Sequence, residues 1–215
     1  MSETEARRAG RPRKAVLNRE RITEHALELV SDDGYESFTM QRLAKSLGVS
    51  PSALYNHVDS KNDLLQWIQE LVMADIDTSV FDEADIKEAL LQWATSYRNV
   101  FARHIPLIPV IAVLPVSDSP RTLGMYERVA EALSDYGMAE SEVVPTIVAL
   151  ESFIFGSAMD TAAPHDIFDT RNHQDLTPHF TQAVAAQRRS KLNTSDDSFQ
   201  RGLSALVTGL LAIRS

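Results

Sequence analysis

Between residues 50 and 61 the chain reads SPSALYNHVDSK, a short run crowded with small hydrogen-bonding side chains. The carboxamide of Asn56 suits direct reading of a base, because one amide can meet adenine N6 and N7 together. Tyr55 and His57 suit phosphate oxygens, which fix the register of a protein on a duplex without reading it. Lys61 follows Ser60 at a helix start, where free backbone amides and an ammonium together fit one phosphate. The same residues also suit a plain helical hairpin in which Tyr55 and His57 cover a core.

The flanking pattern says what holds these groups. Thr39 caps a helix whose Leu43, Ala44 and Leu47 form an apolar stripe, and Gly48 supplies a left-handed stop. Ser50 is then an N-cap, Pro51 occupies the first helical position where no amide bond is lost, and Leu54 plugs this second helix into the first. Pro51, Ser52, Ala53, Tyr55, Asn56 and His57 are left for an outside face, the layout of a helix-turn-helix that enters a major groove. Ahead of it, residues 7–21 hold seven basic residues against Glu20 alone. Within that stretch Arg11, Arg13 and Lys14 form a GRPRK arm suited to phosphates or a minor groove, or simply to solvent.

Composition sets the bounds. The chain has 215 residues, 44% of them hydrophobic, enough for one medium or two small domains. It has no cysteine, which excludes disulfides, thiolate catalysis and cysteine zinc sites. No signal-peptide layout and no run of 18 or more uninterrupted apolar residues occurs, so a cytoplasmic protein with no membrane partner is expected. The net charge of −9 divides unevenly: residues 1–61 hold 10 basic and 9 acidic side chains, residues 62–215 hold 11 and 21. The acid therefore belongs to the second part, and a DNA partner for the first remains open.

Helical periodicity continues to the end, with no β pattern and no repeat. The first helix runs from the cap Asn18 to Gly34 with Ile22, Ala26, Leu29 and Val30 inward. Further helices are expected over residues 61–77, 86–104, 120–136, 141–161, 179–191 and 199–213. Residues 81–85 read as an acidic break, 107–115 as a short apolar segment and 163–178 as a mobile loop. The expected fold is all-α: a three-helix head carrying the turn motif, on a helical-bundle body. The division is a basic arm 1–16, a DNA-binding domain 17–60 and an effector-binding and dimerisation domain 61–215.

The segment FTMQRLAKSLGVSPSALYNHVDSK, followed by KNDLLQWI, resembles the TetR family of bacterial transcriptional regulators, and FIFGSAMD with FQRGLSALVTGLLA resembles the C-terminal domain of its tetracycline-repressor subgroup. The resemblance implies a homodimer joined by its last two long helices. It also puts Thr39, Met40, Gln41, Arg42 and Ser50 beside phosphates or at the caps, the outside face of the second helix in or beside the groove, and Lys61 on the backbone. An effector pocket is expected among Trp67, Trp93, Tyr97, Phe101, Ile108, Ile111, Met125, Tyr126, Val129, Phe153 and Phe155. Glu151 or Asp160 would be its polar anchor, and a flat, apolar or cationic guest would suit it. The same aromatic stripe would equally serve as plain core.

His165, His173 and His179 with Asp166, Asp169 and Asp175 are irregularly spaced for metal, so neither metal nor other cofactor is expected. No nucleophile elbow, phosphate loop or HExxH pair marks an enzyme. The reading is a ligand-responsive repressor of a palindromic operator; the alternative is an activator or a regulator that binds DNA without a ligand.

Overall fold

The structure is a computed structural model that describes residues 17–190 and 194–213. Arg11, Arg13 and Lys14 lie outside the described residues. Among those described there is no strand.

The head is built from α1 (Arg19–Asp33), α2 (Met40–Leu47) and α3 (Pro51–Tyr55), and leads into α4 (Lys61–Met73). Every start is a side-chain cap. Asn18 accepts from the Arg21 amide, Thr39 from Arg42, Ser50 from Ala53 and Ser60 from Asp63. Each such cap contributes about 1 kcal/mol. Between α2 and α3, Gly48 sits at φ 68°, a left-handed turn that a β-carbon would strain. Ile22, Ala26, Leu43, Ala44, Leu54, Leu64 and Ile68 close the core of the head with essentially no exposure.

The body comprises α5 (Val80–Glu83), α6 (Ile86–Ala102), α7 (Ile108–Ile111), α8 (Pro120–Asp135), α9 (Glu140–Asp160), α10 (Pro178–Ser190) and α11 (Thr194–Leu211). The helix α6 packs most extensively on α9, while α8 and α11 flank the pair and α4 crosses from the head onto α8. The buried Arg98 on α6 ties three helices together. Its guanidinium donates to Ser157 on α9 (3.0 Å) and Ser195 on α11 (2.9 Å), pairs with Asp196 (2.8 Å) and lies over the Phe199 ring. Gly202 on α11 leaves room for Phe153, which stacks on Phe199; a β-carbon there would lie 2.7 Å from the ring tip.

Several boundaries differ from the sequence reading. The fourth helix stops at Met73 rather than near residue 77, with the Ala74 amide bonded to the Val72 carbonyl as the chain turns. The supposed acidic break is a helical turn, α5, held by Phe81 against Trp93. The apolar segment after α6 forms a 3-10 turn at Ile105–Leu107 and then α7. The last helix begins at Thr194, five residues early, because Asp196 and Asp197 suit the positive end of its dipole. Residues 163–178 are mostly turns, with Arg171 in a left-handed conformation.

Candidate functional site

Two sites stand out, a polar face on the head and a small cavity in the body, and α4 touches both. On the head, α3 buries Leu54 and exposes Pro51, Ser52 and Tyr55, the last 48% exposed. Ala53 is half-buried. Asn56 and His57 are exposed but lie just past the helix, where the Asn56 amide bonds back to the Leu54 carbonyl. The hydroxyls of Ser50 and Ser52 lie 3.0 Å apart at the helix entry.

At the start of α2 the exposed residues are Thr39, Gln41 and Arg42, and here one expectation needs correction. The Met40 side chain is buried in the head, so only its backbone can face a phosphate. Its place on the Met40, Leu43, Ala44, Leu47 stripe turns it inward. Arg42 is tied down, donating to the Asp33 carboxylate and to the Ser37 carbonyl. Lys61 donates to the Phe38 carbonyl at 3.0 Å and lies over the Tyr35 ring, so its ammonium is fixed at the edge of the face rather than waving in solvent.

In the body a cavity of about 110 Å³ is lined by Gln69 and Met73 from α4, Tyr97 from α6, Ile111, Ala112, Leu114 and Val116, Tyr126 from α8, and Glu151 and Phe155 from α9. One carboxylate oxygen, Glu151 Oε1, accepts from both the Tyr97 hydroxyl (2.9 Å) and the Tyr126 hydroxyl (2.8 Å). Burial pushes the Glu151 carboxyl up from its usual range, opposed by the two hydrogen bonds. Burial, reinforced by the neighbouring carboxylate, also raises both tyrosines, so they stay neutral donors.

The structure gathers Tyr97, Ile111, Tyr126, Glu151 and Phe155 at this cavity and leaves the other expected residues elsewhere. Trp67 is half a helical turn from Gln69 and faces the other way. It lines a surface groove with Leu71 and Arg121, and Arg19 stacks over its ring. Asp160 is exposed at the far end of α9, in a separate groove with His165 and Arg188. Trp93 and Phe101 continue the Tyr97 stripe one turn to either side as buried core, with Ile108, Met125 and Val129 likewise packed away. Phe153 is taken by the α11 stack. The residues the sequence reading missed are Gln69, Met73, Ala112, Leu114 and Val116. Gln69 and Met73 stand at i and i+4 on one face of α4, a spacing that marks a shared face yet not what that face meets. A wider depression, about 740 Å³ between α5, the start of α6 and the ends of α8 and α11, is an open groove whose lining includes none of Tyr97, Tyr126 and Glu151. Among the described residues no three His, Asp or Glu side chains come together to hold a metal.

The body cavity is wired to the head through α4. Gln69, buried beside the cavity, accepts from the buried Ser119 hydroxyl at 2.8 Å. One residue along, the Glu70 carboxylate receives the Arg121 amide at the start of α8. On the other side of the junction, Ser31 of α1 meets His104 Nδ1 at 3.2 Å, where burial lowers the imidazole pKa.

A capped helix-turn-helix with an exposed polar entry, joined by one helix to an all-helical body, defines a DNA-binding regulator of bacterial type. Residues 22–68 match the family described as "Bacterial regulatory proteins, tetR family", and residues 81–214 match "Tetracyclin repressor-like, C-terminal domain". The chain belongs to the TetR family of transcriptional regulators and has a tetracycline-repressor-like C-terminal domain. It is 28% identical over 206 residues to the tetracycline repressor protein class C of Escherichia coli, covering 92% of each chain. Its fold is similar to that of ActR from Streptomyces coelicolor (TM-score 0.76, 26% identity, 92% of this chain and 96% of that one). ActR has also been crystallised with actinorhodin (TM-score 0.75, 22% identity, 92% and 98% of the two chains). BioQ crystallised with its double-stranded DNA operator shares the fold (TM-score 0.65, 20% identity, 92% and 99%).

Proposed function

We propose that the chain is a ligand-responsive repressor that binds a palindromic operator as a homodimer and leaves it when a small, largely apolar effector enters the body cavity. Residues 17–60 act as the DNA-binding domain, 61–215 as the effector-binding and dimerisation domain, and the protein works in the cytoplasm without catalysis. The observation that carries this reading is the shared wall: Gln69 and Met73, on the helix that leads out of the head, line the same cavity as Tyr97, Tyr126 and Glu151.

The entry of α3, with Ser50, Pro51, Ser52 and Ala53, approaches base edges, since a recognition helix reads the major groove with its N-terminal residues. Asn56 reads a base beyond the helix end, while Tyr55, His57, Gln41, Arg42 and Lys61 hold phosphates. Dimerisation is supported by the outward stripe of α9, where Val144, Val148 and Met159 are more than half exposed. The adjoining surface of α11 is small, with Ala205 and Gly209 outward. By length and composition α9 is apolar enough to cross a membrane, but its inner face packs on α6, α8 and α11, and a second copy covers the outer one. A four-helix interface of α9 and α11 with their twofold mates sets the two heads about 34–36 Å apart, one DNA turn.

The cavity also supplies the switch. Drug-sized guests occupy roughly 300–1,000 Å³, so a guest enters only if the walls move, and α4 is one wall. Displacing Gln69 and Met73 strains the Ser119 and Arg121 ties and swings the head. To empty the operator decisively, the effector must favour the released state by roughly 5 kcal/mol.

Selection of bound sequences from random duplexes, followed by footprinting, tests the reading. A pseudo-palindrome with half-sites one turn apart and affinity falling steeply with salt is expected. Protection of a single half-site, or salt-insensitive binding, would overturn it.

A further inference from the structure

We infer that the effector is an organic cation, an amine or quaternary nitrogen attached to an aromatic frame, whose charge is met by Glu151 between the rings of Tyr97, Tyr126 and Phe155. This rests on the cavity being the effector site.

Among the described residues the carboxylate has two hydrogen-bond partners, and both are neutral hydroxyls on one of its oxygens. No lysine, arginine or histidine among the described residues lines the cavity. The buried cation nearest in sequence, Arg98, is one residue from Tyr97 but points to the other side of α6, where Asp196 and two serines engage it. Taking a carboxylate out of water without a counter-charge is costly. An arriving cation repays that cost, whereas an anionic guest adds to it.

The rest of the wall narrows the class. Phe155 stands edge-on to Tyr97 at 5.6 Å, so the site offers π faces as well as a charge, and a desolvated cation gains from both. Met73, Ile111, Leu114 and Val116 provide no ligands for a hydrated metal ion. At about 110 Å³ the cavity takes little more than an ammonium group without moving. The attached rings must therefore press on α4 and on residues 111–116, which is the displacement that repression relief requires.

Proton and guest compete for Glu151. Its carboxyl is already raised by burial, so acidification neutralises it and weakens cation binding. Around the group the other titratable side chains are Tyr97 from α6 and Tyr126 from α8, both raised and neutral throughout; α4 contributes only Gln69 and Met73.

Three probes that share a naphthylmethyl frame test the charge: (1-naphthylmethyl)trimethylammonium, 1-naphthylmethanol and 1-naphthylacetate, titrated calorimetrically into the full-length protein. The cation is expected to bind at least about tenfold more tightly than the alcohol, and the acetate more weakly than either. Glu151→Gln, whose carboxamide oxygen can still accept from both tyrosines, should weaken the cation until it binds no more tightly than the alcohol. In the wild-type protein, lowering the pH from 8 to 5 should weaken the cation alone, since the quaternary nitrogen does not titrate. Equal binding of cation and alcohol, or a preference indifferent to both Glu151→Gln and pH, overturns the cation class. Leu114→Trp, which fills the cavity, separates the two claims. A cation that still binds this variant overturns the cavity itself as the site, whereas loss of alcohol binding with no charge preference overturns only the class.

Discussion

The head and the body are held together by different means. Each helix of the head starts on its own cap, at Asn18, Thr39, Ser50 and Ser60, and the turn between α2 and α3 is fixed by Gly48. The body is fixed by contacts far apart in sequence: Arg98 reaching Ser157 and Ser195, Gln69 reaching Ser119, and two tyrosines meeting on Glu151. A locally specified head keeps one shape, as a reader of grooves must. A body joined by long-range polar ties has parts that can shift against each other, as a ligand-driven switch must.

That contrast breaks most visibly at the dimer. Removing residues 199–215 should leave the head folded, since α11 packs chiefly on α6 and α9, yet lower operator affinity by about a hundredfold or more because two linked half-sites become one. Circular dichroism and a binding isotherm on the same sample check both halves of the claim. Unchanged affinity would mean that the heads do not depend on the body for pairing.

A smaller effect is expected at Arg98. Asp196 is more than half exposed and can return to water, so Arg98→Ala avoids the full penalty of a stranded buried charge. The expected loss is about 2 kcal/mol from the serine bonds and the Phe199 contact. For a chain of this size that is a fall of roughly 4–8 °C in Tm. Calorimetry should show the loss in the body's transition and not in the head's.

Gln69→Leu sharpens the comparison at the junction. It leaves the buried Ser119 hydroxyl without its acceptor, costing about 1–3 kcal/mol, and Ser119→Ala in addition should recover part of that. The more telling readout is coupling: bound guest should no longer weaken operator binding in Gln69→Leu, although the guest still binds. Full coupling in this variant would assign the relay to the Ser31 and His104 contact instead.

The smallest effects lie on the DNA face. Tyr55→Ala and Lys61→Ala should each weaken all sequences alike, by roughly threefold to tenfold, and Lys61→Ala should lower the salt slope by about one. Asn56→Ala should instead relax preference at one position per half-site. A change of preferred sequence in Lys61→Ala would reverse these roles.

The same contrast explains what could be read from the sequence. Caps, stripe and stop in residues 18–60 are local signals, and each reappears at its residue. The body's long helices were legible from their period, whereas the short α5 and α7 and the meeting of particular aromatic residues were not. Trp67 and Gln69 are two residues apart and face opposite ways, so the period shows that they separate without showing which one meets Tyr126. Likewise Trp93, Tyr97 and Phe101 share one stripe, and only packing by α4 and α8 makes the middle one a cavity wall. Asp160 and Glu151 read alike as acids on one helix. Nine residues put them on opposite faces, and only Glu151 faces two tyrosines.

The central claim is that occupancy of the body changes the spacing of the heads. Because the chain has no cysteine, a single Glu24→Cys on the exposed side of α1 places one spin label on each head of a homodimer. The label-to-label distance can then be measured by double electron–electron resonance. With the selected operator the distribution should narrow to one distance; adding the naphthylmethyl ammonium probe should shift it away, and in Glu151→Gln the same shift should need at least about tenfold more probe. An identical distribution with and without bound probe, or no dipolar signal at all, would contradict the account.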